Sequence, residues 1–318
     1  MNRREFVQGT AVLAAGVALT GPGRAAETTA ARRRFTLALT PGSIGVTVAS
    51  QRELNDLAHR HGFEAVEPRV DELPGLKPEQ VAELKGDLTE KNLVWAAAGL
   101  PVEFRKDDAT FQAGLQRLPQ IAAGLRRAGV RRVGTWLAPS SDELTYRENF
   151  RRHGARLGEV ARVLRDHELK LGLEYVGTQL LLVGKRYPFV HTLAETRELI
   201  AEIGTGNVGV VLDSWHWWQA GDTVADLLTL KNADVVGVDL NDAPAGIAKG
   251  QQKDGERELP LTTGVIDAAA FLGALVTLGY DGPMRAEPFN KPLNALENEP
   301  ACATVAAAMR KAVGLIGG

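Results

Sequence analysis

The chain has 318 residues, 44% of them hydrophobic and 24% charged, enough for a large buried core in one barrel or two ordinary domains. Its formal net charge of -2 supplies no basic face of the kind that tracks a phosphate backbone, so a nucleic-acid partner is disfavoured. The single cysteine, Cys302, excludes an internal disulfide and a Cys-x-x-Cys zinc site.

Residues 1–26 have the layout of an export signal. Arg3 and Arg4 precede an apolar run, GTAVLAAGVALTG, too short to span a bilayer, and small residues follow through Ala25 and Ala26. NRREFV resembles the twin-arginine pattern, with Val7 and Gln8 where that pattern prefers Leu and often has Lys. The expectation is a protein exported already folded, to the periplasm by the twin-arginine route, with no stable membrane span. Residues 27–34 then form a polar and basic linker, and 35–318 the folded domain.

From residue 35 onward, apolar strand-like runs alternate with amphipathic segments. The strand candidates are FTLALT (35–40), EAVEP (64–68), LVWAAAG (93–99), RRVGTW (131–136), KLGLEYV (170–176), VGVVLD (208–213), VVGVDL (235–240) and PMRAEPF (283–289). Helical periodicity falls between them, at 51–61, 78–91, 108–128, 146–168, 191–203, 223–231, 267–278 and 297–316. Gly62, Gly129 and Gly279 each follow a helix, where a left-handed residue ends it. Eight strand-helix units in this length fit a single (β/α)8 barrel, with a doubly wound sheet as the alternative, because periodicity does not show closure.

A barrel places its chemistry at the C-terminal ends of the strands. Glu67, Glu174, Asp213, Asp239 and Glu287 all stand there, and VGVVLDSWHWWQAG adds Trp215 and His216 one turn beyond the sixth strand. A lone carboxylate in such a place is usually a cap or a salt-bridge partner. Four of them, Glu174, Asp213, Asp239 and Glu287, on neighbouring strands would repel one another and raise each other's pKa unless a cation compensates. An all-oxygen ligand set suits Mg2+ or Mn2+ better than Zn2+. The long loop after the seventh strand is a candidate lid, with Arg257 as its inward-reaching cation. The segment GTGNVG (204–209) spells a dinucleotide fingerprint but precedes a strand, so it reads as a turn.

The segments LGLEYVGT, VGVVLDSWHWWQAGDT, NDAPAG, TGVIDAAAFLGAL and GYDGPMRAEPF resemble the xylose isomerase-like barrel superfamily, the sugar phosphate isomerase and epimerase group, over nearly all of the mature chain. That resemblance implies one metal held by Glu174, Asp213, position 239 and Glu287, with His216 completing a D-x-x-H segment. The family's usual His on the seventh strand is Asp239 here, a fourth anion that would hold the ion firmly and leave it a weaker Lewis acid.

The implied reaction is proton transfer next to the carbonyl of a small sugar or keto-sugar. Glu174 and Glu287 would act as base and acid, and His216, Trp215, Arg257 and Glu67 would contact the substrate. Rival readings are a metal-dependent lyase on keto-glycosides or inosose-type substrates, and a non-catalytic sugar-binding barrel. The sequence leaves the oligomeric state open, although barrels of this kind often pair.

Overall fold

The computed structural model describes residues 33–317. The export-signal reading of residues 1–26 and most of the linker fall outside the described residues. Among those described, no helix is long and apolar enough to cross a membrane.

The strands are β1 (Thr36–Leu39), β2 (Ala65–Val66), β3 (Val94–Trp95), β4 (Ala98–Gly99), β5 (Arg132–Leu137), β6 (Ser140–Ser141), β7 (Lys170–Tyr175), β8 (Tyr187–Pro188), β9 (Val208–Asp213), β10 (Val235–Leu240) and β11 (Pro283–Ala286). Nine of them form a sheet in the order β3-β2-β1-β11-β10-β9-β7-β5-β4, and every pairing is parallel. The first and last members, β3 and β4, are two halves of one stretch, interrupted at Ala96 and Ala97. The order therefore returns to its starting point, and the sheet is the wall of a TIM barrel with eight strand positions. The third expected strand is thus split, while the other seven fall where their apolar runs place them. The remaining strands, β6 and β8, pair antiparallel in the loops above the barrel.

The helices are α1 (Gln51–Arg60), α2 (Pro78–Glu90), α3 (Asp108–Ala128), α4 (Tyr146–Asp166), α5 (Gln179–Leu182), α6 (Leu193–Ile203), α7 (Ser214–Ala220), α8 (Val224–Leu227), α9 (Ala268–Leu278), α10 (Lys291–Asn294) and α11 (Asn298–Val313). Their starts follow from capping: Ser50, Asp107, Thr192 and Asp267 each accept a hydrogen bond from a backbone N–H of the first turn. Gly129 and Gly279 end α3 and α9 in the left-handed conformation. The helix expected at 223–231 is only the four residues of α8.

The strands are buried on both faces, so β7, β9 and β10 read as near-continuous apolar runs. Inside the barrel, small residues make room for their neighbours. A Cβ on Gly172 would stand 2.7 Å from Val211 Cγ2 and 2.8 Å from Val236 Cβ. Register then fixes which side chains share a level: Glu174 pairs with Trp136, and Asp239 pairs with Asp213 on one side and Arg285 on the other.

Candidate active site

The four expected carboxylates converge at the C-terminal mouth of the barrel. Glu174 is on β7, Asp213 ends β9, Asp239 is on β10 and Glu287 follows β11. Each offers an oxygen, and these oxygens lie within 4.8 Å of one another. All four residues are buried.

A strap of side chains sets their spacing. Asn241 Nδ2 donates to Asp213 Oδ1 (3.0 Å), and Asn241 Oδ1 accepts from the Glu287 N–H (2.7 Å), so one amide ties β9 to the segment after β11. The neighbouring Asp242 accepts from the N–H groups of Ala243, Thr263, Gly264 and Ile266, which ties down the end of the long loop after β10.

That loop returns Arg257 into the cluster. Its Nη1 donates to Asp213 Oδ2 (2.6 Å) and Glu287 Oε2 (3.3 Å), and its Nη2 donates to Asp254 Oδ1 (3.0 Å). Burial works against the charge, but Asp213, Asp254 and Glu287 hold the guanidinium well above its ordinary pKa. A second cation, Arg285, grips both oxygens of Asp239 (2.6 and 2.9 Å) and reaches Glu287 Oε1 (2.7 Å). The replacement of the usual histidine by Asp239 is therefore matched by an arginine beside it. Each Asp239 oxygen keeps a second lone pair, so the pairing still leaves a donor for a metal.

Six carboxylates, counting Glu67 and Asp254, thus face two guanidiniums, and the imbalance shows in the raised pKa of four of them. Burial, then the charges of Glu287, Asp239 and Asp213, pushes Glu174 well above the usual carboxylate range. Burial pushes Glu287 up to about 7 against the pull of Arg285, and raises Glu67 and Asp239 in the same way. Asp254 goes the other way, because Arg257 and His216 outweigh its desolvation. Glu174 Oε1 is buried with no hydrogen-bond partner.

That orphaned oxygen, the oxygen-rich donor set and the shortage of positive charge together fit a divalent cation. Glu174, Asp213 and His216 form an overlapping group that meets the same distance criterion.

His216 stands on α7, in the turn after β9. Gly177 lets α7 approach: a Cβ there would lie 2.5 Å from the His216 carbonyl oxygen. The Gly177 N–H points at His216 Nδ1 (3.3 Å) and Arg257 Nη2, which can only donate, points at Nε2 (3.2 Å), so a donor faces each ring nitrogen and a neutral ring accepts from one of them. Nε2 lies 3.8 Å from both Glu174 Oε1 and Asp213 Oδ2. Desolvation lowers the ring's pKa to about 4, so the imidazole is neutral at physiological pH.

One expected contact is corrected. Trp215 has no exposed surface and belongs to the core, so it offers no face to a sugar. Its Nε1 donates to Thr178 Oγ1 (3.0 Å), whose hydroxyl donates to Asp254 (3.0 Å), and Asp254 holds Arg257. Trp215 acts through that chain as a strut. Trp136, a strand residue in its sequence pattern, is an exposed aromatic at the mouth.

Two cavities meet at the carboxylates. The inner one, about 280 Å3, runs into the barrel past Glu67, Asp239 and Arg285. The outer one, about 540 Å3, opens over His216, Asp254 and Arg257. Glu174, Glu287 and Trp136 line both.

A family model described as xylose isomerase-like TIM barrel matches residues 56–312. The chain belongs to the xylose isomerase-like TIM barrel family. An inosose isomerase of Bacillus velezensis is 24% identical over 243 residues, which are 74% of this chain and 81% of that one. The solved structure of a xylose isomerase domain protein from Alicyclobacillus acidocaldarius superposes with a TM-score of 0.77 at 32% identity, covering 89% of this chain and 100% of the other. A crystal structure of the IOLI protein with a bound zinc atom shares the fold, with a TM-score of 0.72 at 20% identity over 88% of this chain and 98% of that one.

Proposed function

We propose that this xylose isomerase-like barrel is a divalent-metal-dependent isomerase or epimerase of a small sugar or keto-sugar, moving a proton beside a carbonyl. The observation that carries the reading is the convergence of Glu174, Asp213, Asp239 and Glu287, with oxygens within 4.8 Å, on a cavity that Glu174 and Glu287 both line. The similarity to an inosose isomerase, named for a cyclic keto-polyol, supports the same reaction class.

Glu174, Asp213, Asp239 and Glu287 would hold the ion, with His216 beside them. Mn2+ or Mg2+ is favoured by the carboxylate donors. When bound, such an ion supplies the positive charge that lets buried carboxylates ionise and that favours the enediolate over the ketone. The remaining chemistry belongs to the chain. Glu174, whose Oε1 has no other partner, takes the proton from the carbon next to the carbonyl. Glu287, which lines the same cavities as Glu174, returns one to the same or the adjacent carbon. Return to the opposite face of the same carbon gives an epimer, and return to the neighbour gives an isomer. His216, neutral and beside the carboxylates, orients the substrate oxygen, and Arg257 keeps Asp213 and Glu287 in place.

The test is metal content of protein purified without added metal, together with deuterium exchange into a panel of keto-sugars that spans free inososes and keto-glycosides. About one Mn2+ or Mg2+ per chain is expected, with exchange that falls by a factor of about 100 to 10,000 in Glu174→Gln and Glu287→Gln. A metal-free protein whose exchange survives both substitutions would overturn the proposal.

A further inference from the structure

The proton transfer proposed above needs one small polar ring between Glu174 and Glu287, yet the larger cavity at the site is the outer one, and its walls are mostly apolar. Trp136, Ala138, Pro139, Val176, Leu181 and Phe289 line it, with the polar Ser140 and the exposed Lys185 between them, while His216, Asp254 and Arg257 lie next to the carboxylates. At about 540 Å3 it falls by itself within the range of about 300–1,000 Å3 that holds drug-sized ligands. Trp136 and Leu181 remain 47% and 42% exposed at its mouth, large apolar surfaces that nothing in the chain covers among the described residues.

The wall is built. Strands β6 and β8 pair across the loops after β5 and β7, with Ser140 opposite Pro188 and Ser141 opposite Tyr187. The Phe189 N–H donates to the Pro139 carbonyl (2.6 Å), and Ser140 Oγ donates to the Leu181 carbonyl (2.6 Å), fixing α5 over the cavity. On the facing side Phe289 is held at φ 43°, a left-handed conformation that an aromatic residue rarely adopts, with its ring 5.0 Å from the Arg257 guanidinium. Backbone strain of this kind persists where the surroundings over-determine it, and it clusters at ligand sites.

We infer that the outer cavity binds an apolar, aromatic-sized substituent attached to the sugar, so that the substrate class is a substituted keto-sugar such as a keto-glycoside and not a free inosose. The inference rests on the isomerase reading for which ring meets the carboxylates, and adds what that ring carries. The occupant is part of the substrate because Glu174 and Glu287 line both cavities: whatever fills the outer one touches the reacting groups, and a protein segment plugged there would block them.

The test uses two unreactive probes, phenyl β-D-glucoside and methyl β-D-glucoside, titrated calorimetrically into the whole protein. The phenyl compound is expected to bind at least about tenfold tighter, the scale of burying one aromatic ring. Leu181→Glu and, independently, Ala138→Trp, each checked for a cooperative melt, are expected to cut that preference to about threefold or less. Equal binding of the two probes to the wild-type protein, or a preference that survives both substitutions, overturns the inference. A wild-type dimer dissociated by Leu181→Glu, without any phenyl preference, assigns the rim to a second copy and also overturns it. Deuterium exchange into keto-sugars is measured separately: phenyl preference without exchange leaves the outer pocket standing and removes the isomerase reading.

Discussion

Replacing Arg257 by Met keeps the apolar stem and removes the cation from the centre of the cluster. Arg257 is 2% exposed and donates to Asp213, Asp254 and Glu287, so its loss leaves two buried carboxylates and the half-buried Asp254 with weaker compensation or none. Removing one partner of a buried ion pair costs about 3–5 kcal/mol. For a domain of this size about 2 °C of melting temperature accompanies each kcal/mol, so Arg257→Met is expected to melt about 6–10 °C below the wild type in chelator. The same substitution deepens the charge imbalance that favours a divalent ion. Mn2+ at a hundred times its Kd stabilises by about 2.7 kcal/mol, which is about 5 °C. A given Mn2+ concentration should therefore raise the melting temperature of Arg257→Met more than that of the wild type. The assay is differential scanning fluorimetry with EDTA and with a Mn2+ titration. A variant that melts within 2 °C of the wild type in EDTA, or gains no more than the wild type from Mn2+, would refute the charge accounting.

Glu174→Gln removes a like charge from a cation-poor cluster, so it should abolish proton exchange while the chelated protein melts at or above the wild-type temperature. In metal-free protein Glu287 titrates near 7 instead of 4.5, so the folded state keeps a proton that the unfolded state has released. Its contribution to stability is complete below about pH 4.5 and lost as pH rises through 7; urea midpoints in EDTA should fall between pH 5.5 and pH 8, and saturating Mn2+ should flatten that slope. Gly177→Ala drives a methyl to 2.5 Å from the His216 carbonyl oxygen and 2.8 Å from the Ala220 nitrogen, both backbone atoms, and should cost about 1–3 kcal/mol in denaturant unfolding. Asp239→Asn and Arg285→Met should each destabilise the protein and be non-additive together, with a coupling of about 0.5–3 kcal/mol in a double-mutant cycle.

Apolar runs and their acidic ends made the barrel and its four carboxylates legible, because strand ends in a closed barrel must meet at one mouth. The split of the third strand at Ala96 and Ala97 was not legible, since two alanines continue an apolar run as well as any strand residue. The helices α5 and α10 hold four residues each, too few to show a helical period. Trp215 carries the pattern of a sugar contact, because an aromatic beside a strand end looks the same in sequence whether it turns inward or outward. Arg285 could have been found: it lies two residues before Glu287 on the same strand face, and opposite Asp239 once the register is known. Asp254 and Asn241 had no such signal, because a loop position and an amide after a strand carry no periodicity of their own.

The interruption at Ala96 and Ala97 gives the barrel a seam. From β5 through β7, β9, β10 and β11 to β1 and β2 the ladder is continuous, and every carboxylate of the proposed cation site is mounted on or just beyond that arc. The seam lies away from it, and Ala96, Ala97 and Ala98 form part of the inner cavity's wall. The backbone itself crosses the seam, with β3 laddered to β2 and β4 to β5, so the ring stays closed there on few rungs. Like a belt laced densely on one side and fastened by a single strap on the other, the barrel holds the spacing of its carboxylates on the laced side.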